Sequence, residues 1–309
     1  MAHLVESMMY VREIPWHGLG RMVQDAPNSF DALRLAGLDW NVEQREIQLV
    51  DGDLIPNAKA NVRSSDNSVL GIVTDRYKIV QNVEAFAFTD ALIGDDVRYE
   101  TAGSLQNGRK VWMLAQLPET KVLGDKVVPY ICFTNSHDGT GAVRAMMTPI
   151  RVVCNNTLNI ALDSTPRQWS MTHTGDLEKK LEEAKYTLEL ANTYMYELNK
   201  QAEIMSKVKI SGLKLEQILK SLFPYDEILD SNRKKENMKA LRSNFMKAYG
   251  MVDIVNFKGT AWGVVNAMTD MVAHTTPLRQ TDSFKANNWD KIMSGHVLVD
   301  NITKLALAV

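Results

Sequence analysis

The chain has 309 residues and a mass of 34.8 kDa, enough to bury roughly 75% of the surface that its unfolded form exposes. Its composition, 45% hydrophobic and 23% charged, is that of a globular protein and excludes long disorder. Thirty-five Lys and Arg against 37 Asp and Glu give a formal charge of -2. That excludes a strongly basic nucleic-acid coat protein but leaves room for a local basic groove.

At the start, Glu6, Arg12 and Glu13 interrupt any apolar run, so no signal peptide is expected. Pro15, Gly18 and Gly20 around Trp16 and His17 prevent a regular helix and predict a folded-back loop. A helix is predicted over 29–36, with Ser29 as N-cap and Gly37 as stop signal. Imperfect alternation over 40–50 predicts a strand, with Gly52 in a turn, and 61–73 reads as a hairpin. Residues 77–80 read as a short strand, after which Asn82 is expected to cap a helix running to 93. Two strands, 97–105 and 110–117, flank Asn107-Gly108, a strong hairpin signal because both residues tolerate positive φ.

Residues 126–134 and 141–153 form a second expected hairpin, with Pro149 predicting an edge, bulge or bend. Asn155-Asn156-Thr157 is read as the start of a helix to 162, and 163–174 as loop. A long helix is predicted over 176–208, acidic in its first turn and carrying an apolar face. Further helices are expected at 214–222, 232–249 and 260–274, and a packed element at 298–309, too short to cross a membrane. The expected fold class is α+β: a mixed or antiparallel sheet core built from hairpins, followed by a helical C-terminal region. The boundary is placed between residues 1–165 and 166–309.

Chemistry is sparse. Cys132 and Cys154 lie in apolar strands and read as buried thiols. Six histidines include no HExxH, no CxxC pairs the cysteines, and neither metal nor cofactor is expected. His137-Asp138 would join a hydrolytic metal site only if His17, His173 or His274 converged on it. The candidate loop residues are His17, His137, Asp138, Gly139, Asn155 and Asn156. Asp138 can accept backbone N–H bonds while Gly139 relaxes the turn. The P-loop pattern, a dinucleotide fingerprint and a G-x-S-x-G elbow are all missing.

Arg144 and Arg151 stand an odd number of residues apart, on opposite faces of a regular strand unless Pro149 alters the register. Arg109 and Lys110 add positive potential at a nearby hairpin. Tyr99 and Trp112 are candidate stacking rings, against the commoner reading of strand aromatics as core. Lys234, Lys235 and Lys239 form a second cationic group on the helix over 232–249.

The run Phe133-Thr134-Asn135-Ser136-His137-Asp138-Gly139-Thr140-Gly141, with Arg151-Val152-Val153-Cys154-Asn155-Asn156-Thr157-Leu158, resembles the phage/plasmid-like domain of unknown function 932 family. Trp16-His17-Gly18-Leu19-Gly20 and Thr260-Ala261-Trp262-Gly263, with Asn266-Ala267 and His274, extend the resemblance towards both ends. It implies a bacteriophage, plasmid or prophage setting and supplies no catalytic mechanism. The strand-hairpin-helix order after Asp96 is also similar in topology to the cores of Rad52-like single-strand annealing proteins. The expected function is single-stranded DNA binding, assisting annealing, recombination or replication, by a homo-oligomer in the host cytoplasm. The alternatives are a host-interaction or defence-modulating protein, with a host or phage protein as partner, and a metal-dependent hydrolase.

Overall fold

Alternating burial and β-branched or aromatic residues make most of the first half of the chain extended, and amphipathic runs make the last third helical. The computed structural model describes residues 5–11, 20–25, 28–93, 98–151, 156–157, 168–176, 179, 183, 187–224, 231–275, 291 and 295–308. The chain forms two compact units. The first comprises Met1–Pro118, Tyr130–Met147 and Gln168–Ala191, and the second Glu119–Pro129, Thr148–Arg167 and Asn192–Val309.

The strands are β1 (Val5–Val11), β2 (Arg21–Val23), β3 (Val42–Gln48), β4 (Leu54–Arg63), β5 (Val69–Thr74), β6 (Arg98–Leu105), β7 (Lys110–Gln116), β8 (Thr120–Val122), β9 (Asp125–Ser136), β10 (Val143–Arg151), β11 (Asn156–Thr157) and β12 (Gln168–Met171). A nine-stranded sheet has the order β11-β10-β9-β7-β6-β1-β2, with β12 on β10 and β8 on β9. It is mixed, because β1 and β2 are parallel while β1–β6, β6–β7 and β7–β9 are antiparallel. A separate antiparallel sheet has the order β3-β4-β5. Helices α1 (Ser29–Leu35) and α2 (Asn82–Ile93) complete the first unit. Its core includes Met9, Leu33, Leu38, Phe86, Tyr99 and Phe133.

Four more helices are α3 (Thr187–Lys207), α4 (Gly212–Leu222), α5 (Asn232–Tyr249) and α6 (Ala261–His274), and α7 (Val297–Leu307) is the last. A short 3-10 helix spans Val252–Phe257. Helix α6 is buried along most of its length and packs against α5, α7 and β11. A Cβ on Gly263 would lie 2.2 Å from the Phe257 carbonyl oxygen, so this close approach requires glycine. The architecture is α+β, a mixed sheet core followed by C-terminal helices. Among the described residues no helix is long and apolar enough to cross a membrane.

Four local expectations are corrected. Helix α1 is capped by Asn28, whose side chain accepts from the Asp31 amide, and not by Ser29. Ser29 is instead tied to the Asp90 carboxylate through its amide and its hydroxyl. Residues 77–80 form no strand; backbone bonds to His173 and to Thr74 hold them. Asn82 does not cap α2, because its side chain is spent on distant partners. Asn156 and Thr157 do not begin a helix: they form β11, opposite Arg151 and Ile150. Pro149 falls in β10 between the segment paired with β12 (143–146) and the segment paired with β11 (150–151), a gap that suits a residue lacking an N–H.

Candidate functional site

The first unit concentrates buried polar side chains around the end of β9, in the segment the sequence singled out. Asn135, Ser136 and His137 are all buried there. Strand β9 lies against β7, so the His137 amide donates to the Arg109 carbonyl at 2.8 Å and the chain turns at 137–140. Asn135 sends its Nδ2 to the Val80 carbonyl, and the Tyr77 hydroxyl donates to the Ser136 carbonyl at 2.7 Å. Asn61 Nδ2 donates to the His137 carbonyl at 2.8 Å. The loop backbone is therefore held by two side chains from elsewhere in the chain, Tyr77 and Asn61, and by the Arg109 carbonyl, while Asn135 ties its own side chain to Val80.

Glycine admits the loop. A Cβ on Gly71 would lie 2.5 Å from the Asp138 Cα, and Gly139 has φ of +77°. Asp138 Oδ1 accepts from the Ser136 hydroxyl and from the amide and hydroxyl of Thr140. Burial pushes the Asp138 carboxyl up, but these bonds and the nearby Lys110 charge prevail and hold it below the ordinary carboxylate range.

His137 and His173 occupy the interior of this unit. Nε2 of His137 lies 2.8 Å from Asn82 Oδ1, whose Nδ2 donates to the Leu38 carbonyl. Nδ1 of His173 lies 3.1 Å from the Lys78 carbonyl, and the His173 ring stacks on Tyr77 with centroids 4.5 Å apart. Burial, reinforced by the charge that His173 would carry and only partly opposed by Asp138, pushes His137 down to about 3. Burial likewise lowers His173 against the opposing bond to Lys78. Both imidazoles are neutral at physiological pH. Trp40 meets the His137 ring edge-on, and the Arg63 guanidinium lies 5.5 Å from the Trp40 ring centroid. Arg63 is in turn clamped by Glu6 and Asp66.

This arrangement positions a loop and assembles no nucleophile–base pair. The Ser136 hydroxyl is turned to Asp138, while His137 is turned to Asn82. Among the described residues no three His, Cys, Asp or Glu side chains are placed to hold a metal ion. His17 and Asn155 lie outside the described residues, and of Asn156 the strand position is described.

The two stacking candidates are corrected. Tyr99 is 1% exposed and Trp112 7%, so neither offers a ring face. The Tyr99 hydroxyl bonds Thr89 and Asp90, and the Trp112 indole N–H points to Thr101. The cations are distributed differently. Arg109 is exposed on the β6–β7 turn, Lys110 is half-buried near Asp138, and Arg144 is half-buried opposite Ser170. Arg151 ends β10, opposite Asn156.

On α5, Lys234 and Lys239 are exposed and Lys235 is half-buried, with Lys239 paired to Glu236. On α3, Tyr196, which residue type alone does not single out, is 67% exposed, with the Lys200 ammonium 5.7 Å from its ring centroid. Its spacing from Lys200, i to i+4 on one helix face, was the available signal.

Fold and site together define an α+β protein whose 137–140 loop is built into a buried network of asparagine and histidine. Residues 69–293 match the model of the family described as Domain of unknown function (DUF932), and the chain belongs to that family. No curated protein and no solved structure matches it.

Proposed function

We propose that the protein binds single-stranded DNA through phosphate contacts made chiefly by α5, in a phage or plasmid setting in the host cytoplasm. The observation that carries this reading is the charge of α5, with six Lys and Arg against one Glu in 18 residues. Arg233, Lys234 and Lys235 occupy its first turn, where no acidic residue is present and the helix dipole disfavours cations. None of the three has an ion pair among the described residues, whereas Lys239 and Arg242 are offset by Glu236 and Glu216. Asp226, Glu227 and Asp230 precede the helix in sequence, so the binding surface is the helix itself and not its approach. A phosphate backbone is the ligand class that repays unpaired cations held against a dipole.

Tyr196 supplies what Tyr99 and Trp112 cannot. An exposed ring beside a cation is a sequence-tolerant platform for an unpaired base, and it favours a single strand over a duplex. Within the first unit taken by itself, Arg109 and Arg144 are candidate phosphate contacts. Self-association would join such short sites into a longer path.

Titration of labelled single-stranded DNA, duplex DNA and RNA across a salt series tests the reading. Saturable binding with single-stranded DNA favoured is the expected result. Equal affinity for duplex would remove the role of Tyr196, and no saturable binding of any nucleic acid at low salt would overturn the proposal. Replacing Tyr196 by Ala is expected to cost about 1–3 kcal/mol of single-strand affinity.

A further inference from the structure

The hydrogen-bond directions around His137 and His173 leave a particular kind of gap. Leu38 and Lys78 contribute carbonyl oxygens, which only accept. Asn82 must therefore give its Nδ2 to Leu38 and offer Oδ1 to His137, which makes His137 an Nε2–H donor with a bare lone pair on Nδ1. By the same logic His173 donates from Nδ1 to Lys78 and carries a bare lone pair on Nε2. The two histidines are thus opposite tautomers. Asn61 donates its Nδ2 to the His137 carbonyl, which leaves its Oδ1 as a third acceptor.

All three atoms, His137 Nδ1, His173 Nε2 and Asn61 Oδ1, are buried without a protein donor among the described residues. They belong to one neighbourhood. Asn61 holds the His137 carbonyl, and Tyr77 stacks on His173 while bonding the Ser136 carbonyl. The Asp138 charge acts on both rings.

Acceptors with no donor are costly when buried, and three of them, His137 Nδ1, His173 Nε2 and Asn61 Oδ1, call for a guest that only has to donate. We propose that this cluster is an internal hydration site, in which buried water donates hydrogen bonds to the bare ring nitrogens and to Asn61 Oδ1 and so couples the 137–140 loop to the segment at His173. Water suits the chemistry because each molecule gives two hydrogen bonds and carries no charge into the interior. A divalent cation would meet the same lone pairs, but no third histidine, cysteine or carboxylate is placed to complete its shell among the described residues.

Selective 15N-histidine labelling of the full chain tests this, because there are only six histidines. At neutral pH, long-range 15N–1H spectra should show one buried Nε2–H ring and one buried Nδ1–H ring. Each should have its bare nitrogen shifted in the direction of an accepted hydrogen bond, with cross-relaxation to long-lived water. The signals of the other four rings, His3, His17, His274 and His296, are assigned by substituting those residues, so neither His137 nor His173 needs to be altered. Two rings of the same tautomer, an imidazolium, or no water contact would overturn the proposal. Equimolar zinc should leave both rings unchanged; a zinc-induced shift together with a raised Tm would replace the water by a metal.

Discussion

His137 is held in place by partners far away in the sequence. Its ring is buried and neutral, with a folded-state pKa near 3 against an ordinary 6.5. The unfolded chain therefore binds the proton more tightly, and the stability that His137 contributes is complete above pH 6.5 and is lost as pH falls towards 3. At pH 5 this one ring should lower stability by about 2 kcal/mol relative to neutral pH, and His173, shifted in the same direction, adds to it. Urea unfolding at the two pH values measures the difference; equal midpoints would mean that the rings are protonated without penalty. At Gly71 the argument is steric. Alanine there would place a Cβ against the Asp138 backbone, so Gly71→Ala should destabilise by about 1–3 kcal/mol on the same assay. The sequence flagged His137, Asp138 and Gly139 as a loop, but His137's fixing partners, Asn82 and Asn61, lie 55 and 76 residues away. No local pattern reports contacts at that separation.

Elements were legible where local chemistry decides them. The β6–β7 turn was, because Asn107-Gly108 demands positive φ, and Gln106, Asn107 and Gly108 take 56°, 58° and 81°. The α5 boundaries were legible from the helical run after Ser231 and the glycine at 250. Elements were misread where a polar side chain had two plausible uses. Asn82 looked like a cap, yet it bridges the Leu38 carbonyl to His137 Nε2. Residues 77–80 looked like a strand, yet they are held by His173, Thr74 and Asn135 instead of a neighbouring strand. Asn82→Ala should therefore cost about 2–4 kcal/mol, since it leaves a buried carbonyl and a buried N–H unmet. Asn82→Asp keeps the acceptor and adds a charge, so it should raise the His137 pKa, read by 15N shifts through a pH titration. An unchanged pKa would mean that Asn82 is not the partner of Nε2.

Across the whole molecule, α+β architecture followed from hairpin signals giving way to helical periodicity, while the make-up of the two units did not. Each unit gathers separate chain segments, and such closure depends on tertiary packing that no window of sequence contains. The same holds for the aromatic platform: burial distinguishes Tyr99 and Trp112 from Tyr196, and residue type does not. The cationic helix α5 is the feature on which the proposed function rests. The direct test is the salt dependence of single-stranded DNA affinity, compared between the wild-type chain and an R233Q/K234Q/K235Q variant. If these side chains neutralise phosphates, the variant binds more weakly at low salt and its slope of log affinity against log salt is shallower by about 2. Identical slopes and affinities in a folded variant, or a wild-type chain that does not bind, would contradict a nucleic-acid role for α5.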